Sequence, residues 1–200
     1  MPLLLTVVFA DDLPLTIDWS GATLSRPFPV TGGVPLARGA LKDPSQARLL
    51  CAGKELPLQT ETLAVWPDGS VKWLLLDFQA TPGQQELTLQ YGPGVKRAPV
   101  AKGITATDGG GAVTVDTGPL RFTARSDGGG FIDELHFGGK LIASCAGRRV
   151  NLLDFLHTGG PADYHPGDRY LRNAQADPSQ VVVTRVALEQ RGPLRAVVVI

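Results

Sequence analysis

The densest group of chemically versatile side chains lies in the segment 163–170, Asp-Tyr-His-Pro-Gly-Asp-Arg-Tyr. A lyase acting on an acidic sugar chain needs a base for the proton alpha to a carboxylate, a cation that holds that carboxylate, and an acid for the leaving oxygen. Tyr164, His165 and Arg169 carry groups suited to these tasks and are the candidate catalytic residues. The other interpretation, which we favour, is a solvated surface loop in which Asp168 and Arg169 interact. No catalytic role is therefore assigned.

Two tryptophans flank the segment 67–70, Pro-Asp-Gly-Ser. Exposed aromatic rings beside a turn can stack on sugars, so a carbohydrate-binding site is one interpretation of Trp66 and Trp73. The other, which we favour, is that the two rings pack in the core of a hairpin and could meet across it.

Other sequence signals for chemistry are weak. The segments 108–111 and 127–130, each Asp-Gly-Gly-Gly, lack the Lys-Ser/Thr pair and the helix of a phosphate-binding loop, so they are predicted to be turns. The sequence has no Cys-x-x-Cys motif and no histidine pair at ligand spacing, so we expect no metal site and no cofactor. Cys51 and Cys145 could form a disulfide, but two cysteines do not identify the redox compartment.

The charge of the chain is balanced, with 19 basic and 19 acidic side chains among 200 residues. This balance removes the usual electrostatic argument for binding nucleic acid or an anionic membrane surface. No apolar run reaches the roughly 18 residues that a membrane span requires. We therefore expect neither nucleic acid nor a membrane span, and the sequence leaves the oligomeric state open.

Short apolar runs separated by glycine and proline predict an all-β fold. The 24 glycines and 16 prolines interrupt runs of Val, Leu, Thr and Phe, a pattern typical of short strands joined by tight turns. The segment 31–35, Thr-Gly-Gly-Val-Pro, is predicted to be a turn. Residues 60–66 and 71–78 are predicted to form a hairpin around Pro-Asp-Gly. The second strand of this hairpin is nearly all apolar, so we expect it to be central.

The polar, proline-bearing segment 96–105 marks a predicted boundary between a first β domain, residues 11–98, and a second, residues 99–200. In the second, strands are expected at 112–116, 120–124, 132–137, 141–143 and 181–189. Gly-Pro-Leu-Arg occurs twice, at 118–121 and 192–195. A duplicated unit is one interpretation; the other, which we favour because a single four-residue repeat is weak evidence, is one turn solution used twice. Because the chain stops inside an apolar run, we expect the second domain to be incomplete.

Residues 1–10 have two interpretations. The apolar run 3–10 ends before Asp11 and Asp12, as a cleaved signal peptide would, but no basic residue precedes the run and it is short for a signal. It could equally be a first strand. A secreted or periplasmic location is the expectation, and a cytoplasmic one stays open.

An ordered set of sequence blocks resembles the N-terminal region of the exo-rhamnogalacturonan lyase-like proteins, which include the YetA-like bacterial proteins. The blocks are the segments 29–44, containing Gly-Val-Pro-Leu-Ala-Arg-Gly, 56–61, and 66–78, containing Trp-Pro-Asp-Gly-Ser-Val-Lys-Trp. The segments 115–122 and 192–196 resemble strand openings of the second domain in that group. The resemblance covers residues 13–200.

The resemblance implies a small RIFT-type β-barrel followed by part of an antiparallel β-sandwich. It further implies the non-catalytic N-terminal portion of a polysaccharide lyase that cleaves rhamnogalacturonan-type pectic polymer by β-elimination, meeting the polysaccharide through the full-length protein. The alternative is a carbohydrate-binding or structural β module without catalytic activity, since family membership does not fix substrate or function.

Overall fold

A computed structural model describes residues 10–20, 26–84, 86–126, 132–144 and 183–200. The regular secondary structure of these residues consists entirely of β-strands in antiparallel sheets, which confirms the predicted all-β fold class. The chain divides into two compact units, Met1–Lys102 and Gly103–Ile200.

The first unit contains seven described strands in two sheets. The strands are β1 Asp11–Leu15, β2 Phe28–Pro35, β3 Ala47–Cys51, β4 Lys54–Leu56, β5 Leu58–Val65, β6 Val71–Ala80 and β7 Leu87–Tyr91. One sheet has the order β1-β7-β3-β4 and the other the order β2-β6-β5. The predicted hairpin is confirmed as β5 and β6, and its apolar second strand is central in the three-stranded sheet, as expected.

Both sheets of the first unit contribute to one hydrophobic core. Leu49 and Leu89 come from the four-stranded sheet, Leu58, Leu74 and Leu76 come from the three-stranded sheet, and each is at most 1% exposed. Inward-facing residues alternate with outward-facing ones along β6, as the pleat of a strand requires. The apolar residues that looked like a continuous run therefore divide between the core and the outer face.

The predicted turn at 31–35 is wrong, because these residues form the second half of β2. Gly33 packs beside Trp73 on the neighbouring strand, where a Cβ would lie at a contact distance of 3.4 Å from Cε3 of the ring. The proline at position 35 is tolerated because β2 is an edge strand, where a missing N–H leaves no ladder bond unmade.

The second unit contains the other seven described strands. They are β8 Thr105–Gly109, β9 Ala112–Asp116, β10 Leu120–Arg125, β11 Glu134–Phe137, β12 Lys140–Ser144, β13 Ala187–Arg191 and β14 Ala196–Val199. Strands β8 to β12 form a five-stranded meander, and β13 pairs with β14. Val113, Val115 and Ala124 of the meander pack with Leu188 and Val198 of the hairpin, which gives a sandwich-like arrangement with its own core.

Strand predictions in the second unit hold for β9 and β10 and fail in part near the end. A strand was predicted over 181–189, but residues 183–186 are not in a strand and β13 begins at Ala187. The turn predicted at 108–111 is confirmed, because Gly110 and Gly111 have φ values of 62° and 76° between β8 and β9. The matching segment 127–130 lies outside the described residues.

The two Gly-Pro-Leu-Arg segments play similar structural roles. Each leads into the second strand of a hairpin: the first segment overlaps the start of β10 with Leu120 and Arg121, and the second ends immediately before β14. The carbonyl of Pro119 accepts a bond from the N–H of Gly138 (2.8 Å), and the carbonyl of Pro193 accepts one from the N–H of Ile104 (2.7 Å). The backbones differ, since Gly118 has a φ of 89° whereas Gly192 has no positive φ. The repeated sequence is therefore a recurring hairpin connection.

We expect Gly103→Ala to destabilise the second unit by about 1–3 kcal/mol. A Cβ at position 103 would lie 2.6 Å from Cβ and 2.9 Å from Cα of Pro193, and this backbone can yield only by moving the β13–β14 hairpin. Thermal unfolding followed by circular dichroism measures the effect. Gly109→Ala is the matched control, because a Cβ there meets nothing within 4 Å. Equal stability of the two variants would contradict the close approach.

Several predictions fall partly or wholly outside the described residues. The candidates for the N-terminal signal or strand, residues 1–9, are among them, and so is Cys145, while Cys51 lies half-buried in β3.

The division between the units follows Lys102, beyond the predicted boundary at 98. Residues 97 and 98 are held to the first unit because Arg97 donates to the Thr60 hydroxyl (3.1 Å) and the Ala98 N–H donates to Glu55 (2.7 Å). Within the described ranges, no helix is long and apolar enough to cross a membrane.

Candidate functional site

The candidate catalytic residues Tyr164, His165 and Arg169 lie outside the described residues, so their roles stay predictions. In the part of the chain that the structure describes, no group of His, Cys, Asp and Glu side chains is arranged to hold a metal ion. The best-defined polar cluster is instead in the first unit, where the segments 29–44 and 66–78 come together.

This cluster is built on a tight turn between β5 and β6. The N–H of Gly69 donates to the carbonyl of Trp66 (2.9 Å), and the N–H of Trp66 donates to the carbonyl of Ser70 (2.8 Å). Gly69 has a φ of 78°, as the left-handed residue after a tight turn requires. Pro67 and Asp68 at the centre fit the preferences of such a turn. The sequence thus dictates a narrow hairpin end.

Ser70 links this turn to a loop far away in sequence. Its side chain is fully buried, donates to Oδ1 of Asp68 (2.6 Å) and accepts a bond from the N–H of Gly39 (2.8 Å). Arg38, beside Gly39, donates to Oδ2 of Asp68 (3.2 Å). We name Arg38, Gly39, Asp68 and Ser70 the turn clamp. The turn clamp joins the segments 29–44 and 66–78, the two sequence blocks on which the family resemblance mainly rests.

The turn clamp sets the ionisation of Asp68. Hydrogen bonds from the side chain and then the backbone of Ser70, helped by Arg38, lower the pKa of Asp68 below its ordinary value. The Arg38–Asp68 ion pair is exposed, and exposed pairs add little stability. Ser70 therefore provides most of the stability that this cluster contributes, while Arg38 mainly orients the Asp68 carboxylate.

Trp66 is anchored beside the turn clamp by its polar and apolar parts together. Its indole N–H donates to the carbonyl of Leu36 (3.0 Å), and the Lys72 ammonium lies 4.8 Å from its ring centre. The N–H of Leu36 in turn donates to the carbonyl of Lys72 (3.0 Å). This half-buried tryptophan thus ties the loop after β2 to the start of β6.

Trp73 is in a different environment, and the hairpin-core interpretation is wrong for it. Its side chain is 41% exposed on the outer face of β6. Irregularities in the β5–β6 register place Ala64 opposite Trp73 and Val65 opposite Val71, so the two tryptophans are not a cross-strand pair. Sequence reasoning missed this exposure because a nearly continuous apolar run does not show which of its residues face outward.

Chemically, the turn clamp holds the fold together and is poorly suited to catalysis. The Ser70 hydroxyl is shielded from solvent and both of its bonds are made to neighbouring protein groups. A nucleophilic serine would need an adjacent base and access to substrate. Sequence reasoning treated Ser70 only as part of a turn. The one available signal was its place in a block shared with a known family.

Comparison with known proteins agrees with this architecture. Residues 14–92 match the family described as the PcRGLX-like N-terminal RIFT barrel domain. This segment belongs to that family. The matched range begins at Pro14, near the end of β1, and ends one residue after β7, so it contains β2 to β7 and the whole turn clamp. The resemblance inferred from the sequence blocks is confirmed, as is the RIFT-type barrel.

A curated relative extends the similarity beyond the RIFT barrel domain. The chain is 31% identical over 184 residues to the uncharacterized protein YetA of Bacillus subtilis (strain 168). The alignment covers 91% of this chain but 20% of the relative, so the chain spans about a fifth of that protein's length. This chain thus carries the RIFT barrel domain of a rhamnogalacturonan lyase-like family.

Proposed function

We propose that this chain is the N-terminal, non-catalytic portion of a longer polysaccharide lyase that cleaves rhamnogalacturonan-type pectic polymer by β-elimination. The family match of the RIFT barrel, residues 14–92, carries this proposal. The polysaccharide is then the partner of the longer protein, and a secreted or periplasmic location stays a prediction. No metal or cofactor is part of the proposal.

The composition of the buried polar groups supports a non-catalytic role for the barrel. In β-elimination a base removes the proton alpha to the uronate carboxylate, the bond to the leaving oxygen breaks, and an acid protonates that oxygen as a carbon–carbon double bond forms. The buried polar side chains of the described residues are Gln59, Ser70 and Asp77. Asp77 is the one side chain of the three that could act as a base, and none of the three carries the positive charge that would neutralise the substrate carboxylate.

A bracing role fits the way in which the RIFT barrel is constructed. Acid, base and carboxylate-binding groups must be held to within about half an ångström of a productive geometry, so a catalytic domain benefits from a rigid neighbour. The turn clamp and the anchored Trp66 fix the β5–β6 hairpin to the loop after β2, which makes this end of the barrel stiff. In the proposal, this stiffness supports the catalytic part of the longer protein.

The proposal is tested by the ultraviolet absorbance of the unsaturated uronate product, with rhamnogalacturonan as substrate. The longer protein and the 200-residue chain are assayed in parallel at equal molar concentration. We expect absorbance to rise with the longer protein alone. A rise with the 200-residue chain would contradict the non-catalytic role and direct attention to Tyr164, His165 and Arg169. Silence from both proteins would contradict the lyase assignment.

A further inference from the structure

We propose that an exposed apolar face of the three-stranded sheet is the surface through which the RIFT barrel packs against the rest of the longer protein. We name this surface the docking face; it consists of Pro35 on β2, Leu63 and Val65 on β5, and Trp73 on β6. The inference rests on the proposed function, because it assumes the longer protein, and it specifies which side of the barrel does the bracing.

The docking face is continuous across all three strands. Trp73 lies on the central strand, opposite exposed Pro35 on one side and Ala64 on the other. The neighbours of Ala64 in β5 are Leu63 and Val65. The exposed fractions are 55% for Leu63, 58% for Val65 and 41% for Trp73. Single exposed apolar residues need no explanation, but adjoining ones on one sheet commonly mark an interaction site.

Trp73 is packed on its own sheet and still has a polar group to offer. Its ring atoms Cε3 and Cζ3 lie 3.4 and 3.7 Å from where a Cβ on Gly33 would be, so the indole packs beside the backbone of β2. The indole N–H groups of Trp19 and Trp66 donate to backbone carbonyls at 3.0 Å, whereas that of Trp73 bonds to none of the described residues. Such a tryptophan is typical of the centre of a protein contact.

The composition of the docking face favours a protein surface over a polar ligand. Its four side chains are uncharged, and their one polar atom is the indole nitrogen of Trp73. Small polar ligands are oriented by several convergent polar groups, which these side chains do not supply. Glu61, the next outward-facing residue of β5, is exposed at the border. An apolar centre with a polar rim is the usual anatomy of an interface between protein surfaces.

The size of the docking face favours a tethered partner over a second copy of the chain. A stable complex between separate proteins uses roughly 20–30 residues on each side, far more than these four. A segment of the same polypeptide has an effective concentration of the order of millimolar, so a small contact suffices. The chain spans about a fifth of the length of its relative YetA, which indicates how much further polypeptide a longer protein supplies. The rest of the longer protein, presenting an apolar surface, is therefore the assigned occupant.

The test measures how fast a maleimide reacts with a cysteine at position 63, in the 200-residue chain and in the longer protein. We expect Leu63→Cys to react about tenfold more slowly in the longer protein, because the reagent reaches a docked side chain only when the contact opens. Ser45→Cys is the matched control, since Ser45 is exposed on the loop before β3. We expect it to react equally fast in both proteins. Peptide mass spectrometry separates the introduced thiols from Cys51 and Cys145.

Val65→Lys gives an independent measurement on the same face. Lysine is common on exposed strands, so we expect the thermal midpoint of the 200-residue chain to stay close to that of the wild type. In the longer protein, docking would bury the ammonium group against an apolar surface. The midpoint of the longer protein should therefore fall by about 2 °C or more, as measured by circular dichroism.

Equal reaction rates at position 63 in the two proteins would overturn the docking face, and so would an equal slowing at position 45. Slow reaction in the 200-residue chain that becomes faster on dilution would identify a second copy as the occupant and overturn the assignment. Equal changes of midpoint in both proteins, or no change in either, would also contradict it. These measurements use no polysaccharide, so the docking face can be confirmed where the lyase assay is silent and can fail where that assay succeeds.

Discussion

Leu74→Ala is expected to lower the free energy of unfolding of the RIFT barrel by about 3 kcal/mol, within the usual range of 2–5 kcal/mol for such truncations. Leu74 is fully buried on the central strand β6 and packs in the core that both sheets share. Truncation removes apolar contacts and leaves a cavity that strands paired on both sides cannot easily close. Urea denaturation monitored by tryptophan emission measures the loss.

Tryptophan emission is specific for the RIFT barrel in this experiment, because Trp19, Trp66 and Trp73 all lie in the first unit. The matched control is Leu63→Ala, the same truncation on the adjacent strand at a side chain that is 55% exposed. We expect the control to change stability by less than about 0.5 kcal/mol. Similar losses for the two leucines would contradict the assignment of inner and outer faces on this sheet.

Ser70→Ala is expected to destabilise the RIFT barrel by about 1–3 kcal/mol. The buried hydroxyl is the acceptor for the N–H of Gly39 and a donor to Asp68, so its removal leaves the Gly39 N–H without this partner. Denaturation followed by tryptophan emission is again the measurement. A loss indistinguishable from zero would show that the turn clamp contributes nothing to stability.

Ser45→Ala is the matched control for Ser70→Ala. Ser45 has the same local arrangement, since its backbone N–H donates to Asp43 (2.8 Å) two residues earlier, but its side chain is exposed. We expect this variant to remain close to the wild type. The comparison separates the local Asp-x-Ser motif from the long-range bond to Gly39.

The turn clamp also predicts a dependence on pH. Because the pKa of Asp68 is lowered in the folded state from 3.8, its contribution is complete above that pH and is lost as the pH falls through the folded value. Ser70→Ala removes the main cause of the lowered pKa. The difference in stability between wild type and Ser70→Ala should therefore narrow in acid, and denaturation at several pH values measures it. A constant difference would contradict the pKa assignment.

Local sequence signals were sufficient for part of the fold. Proline, aspartate and glycine at 67–69 specify a turn by their own backbone preferences, so the β5–β6 hairpin followed from a short segment. The turn predicted at 31–35 was wrong because glycine and proline occur both in turns and on edge strands. On edge strand β2, Gly33 packs beside Trp73, a residue forty positions away in the sequence. Such a long-range contact has no local signature.

The candidate site was less predictable for the same reason. Ser70 is buried because the loop at Gly39, 31 residues earlier, closes over it, whereas turn residues are ordinarily solvated. Trp73 is exposed because it alternates with the buried Leu74 along β6 and so lies on the outer face of the sheet. Both features depend on how the chain packs in space. The family blocks identified the important segments but did not reveal what their residues do.

The central claim is that the blocks shared with the family form a structural clamp and contribute no chemistry. It is tested most directly through the proposed cleavage of rhamnogalacturonan by the longer protein, whose turnover is compared for wild type and Ser70→Ala at a temperature where circular dichroism shows the variant fully folded. We predict turnover within about twofold of the wild type, since the variant alters stability alone. A loss of about a hundredfold or more in the folded variant, the size expected for removal of an acid–base group, would contradict the claim.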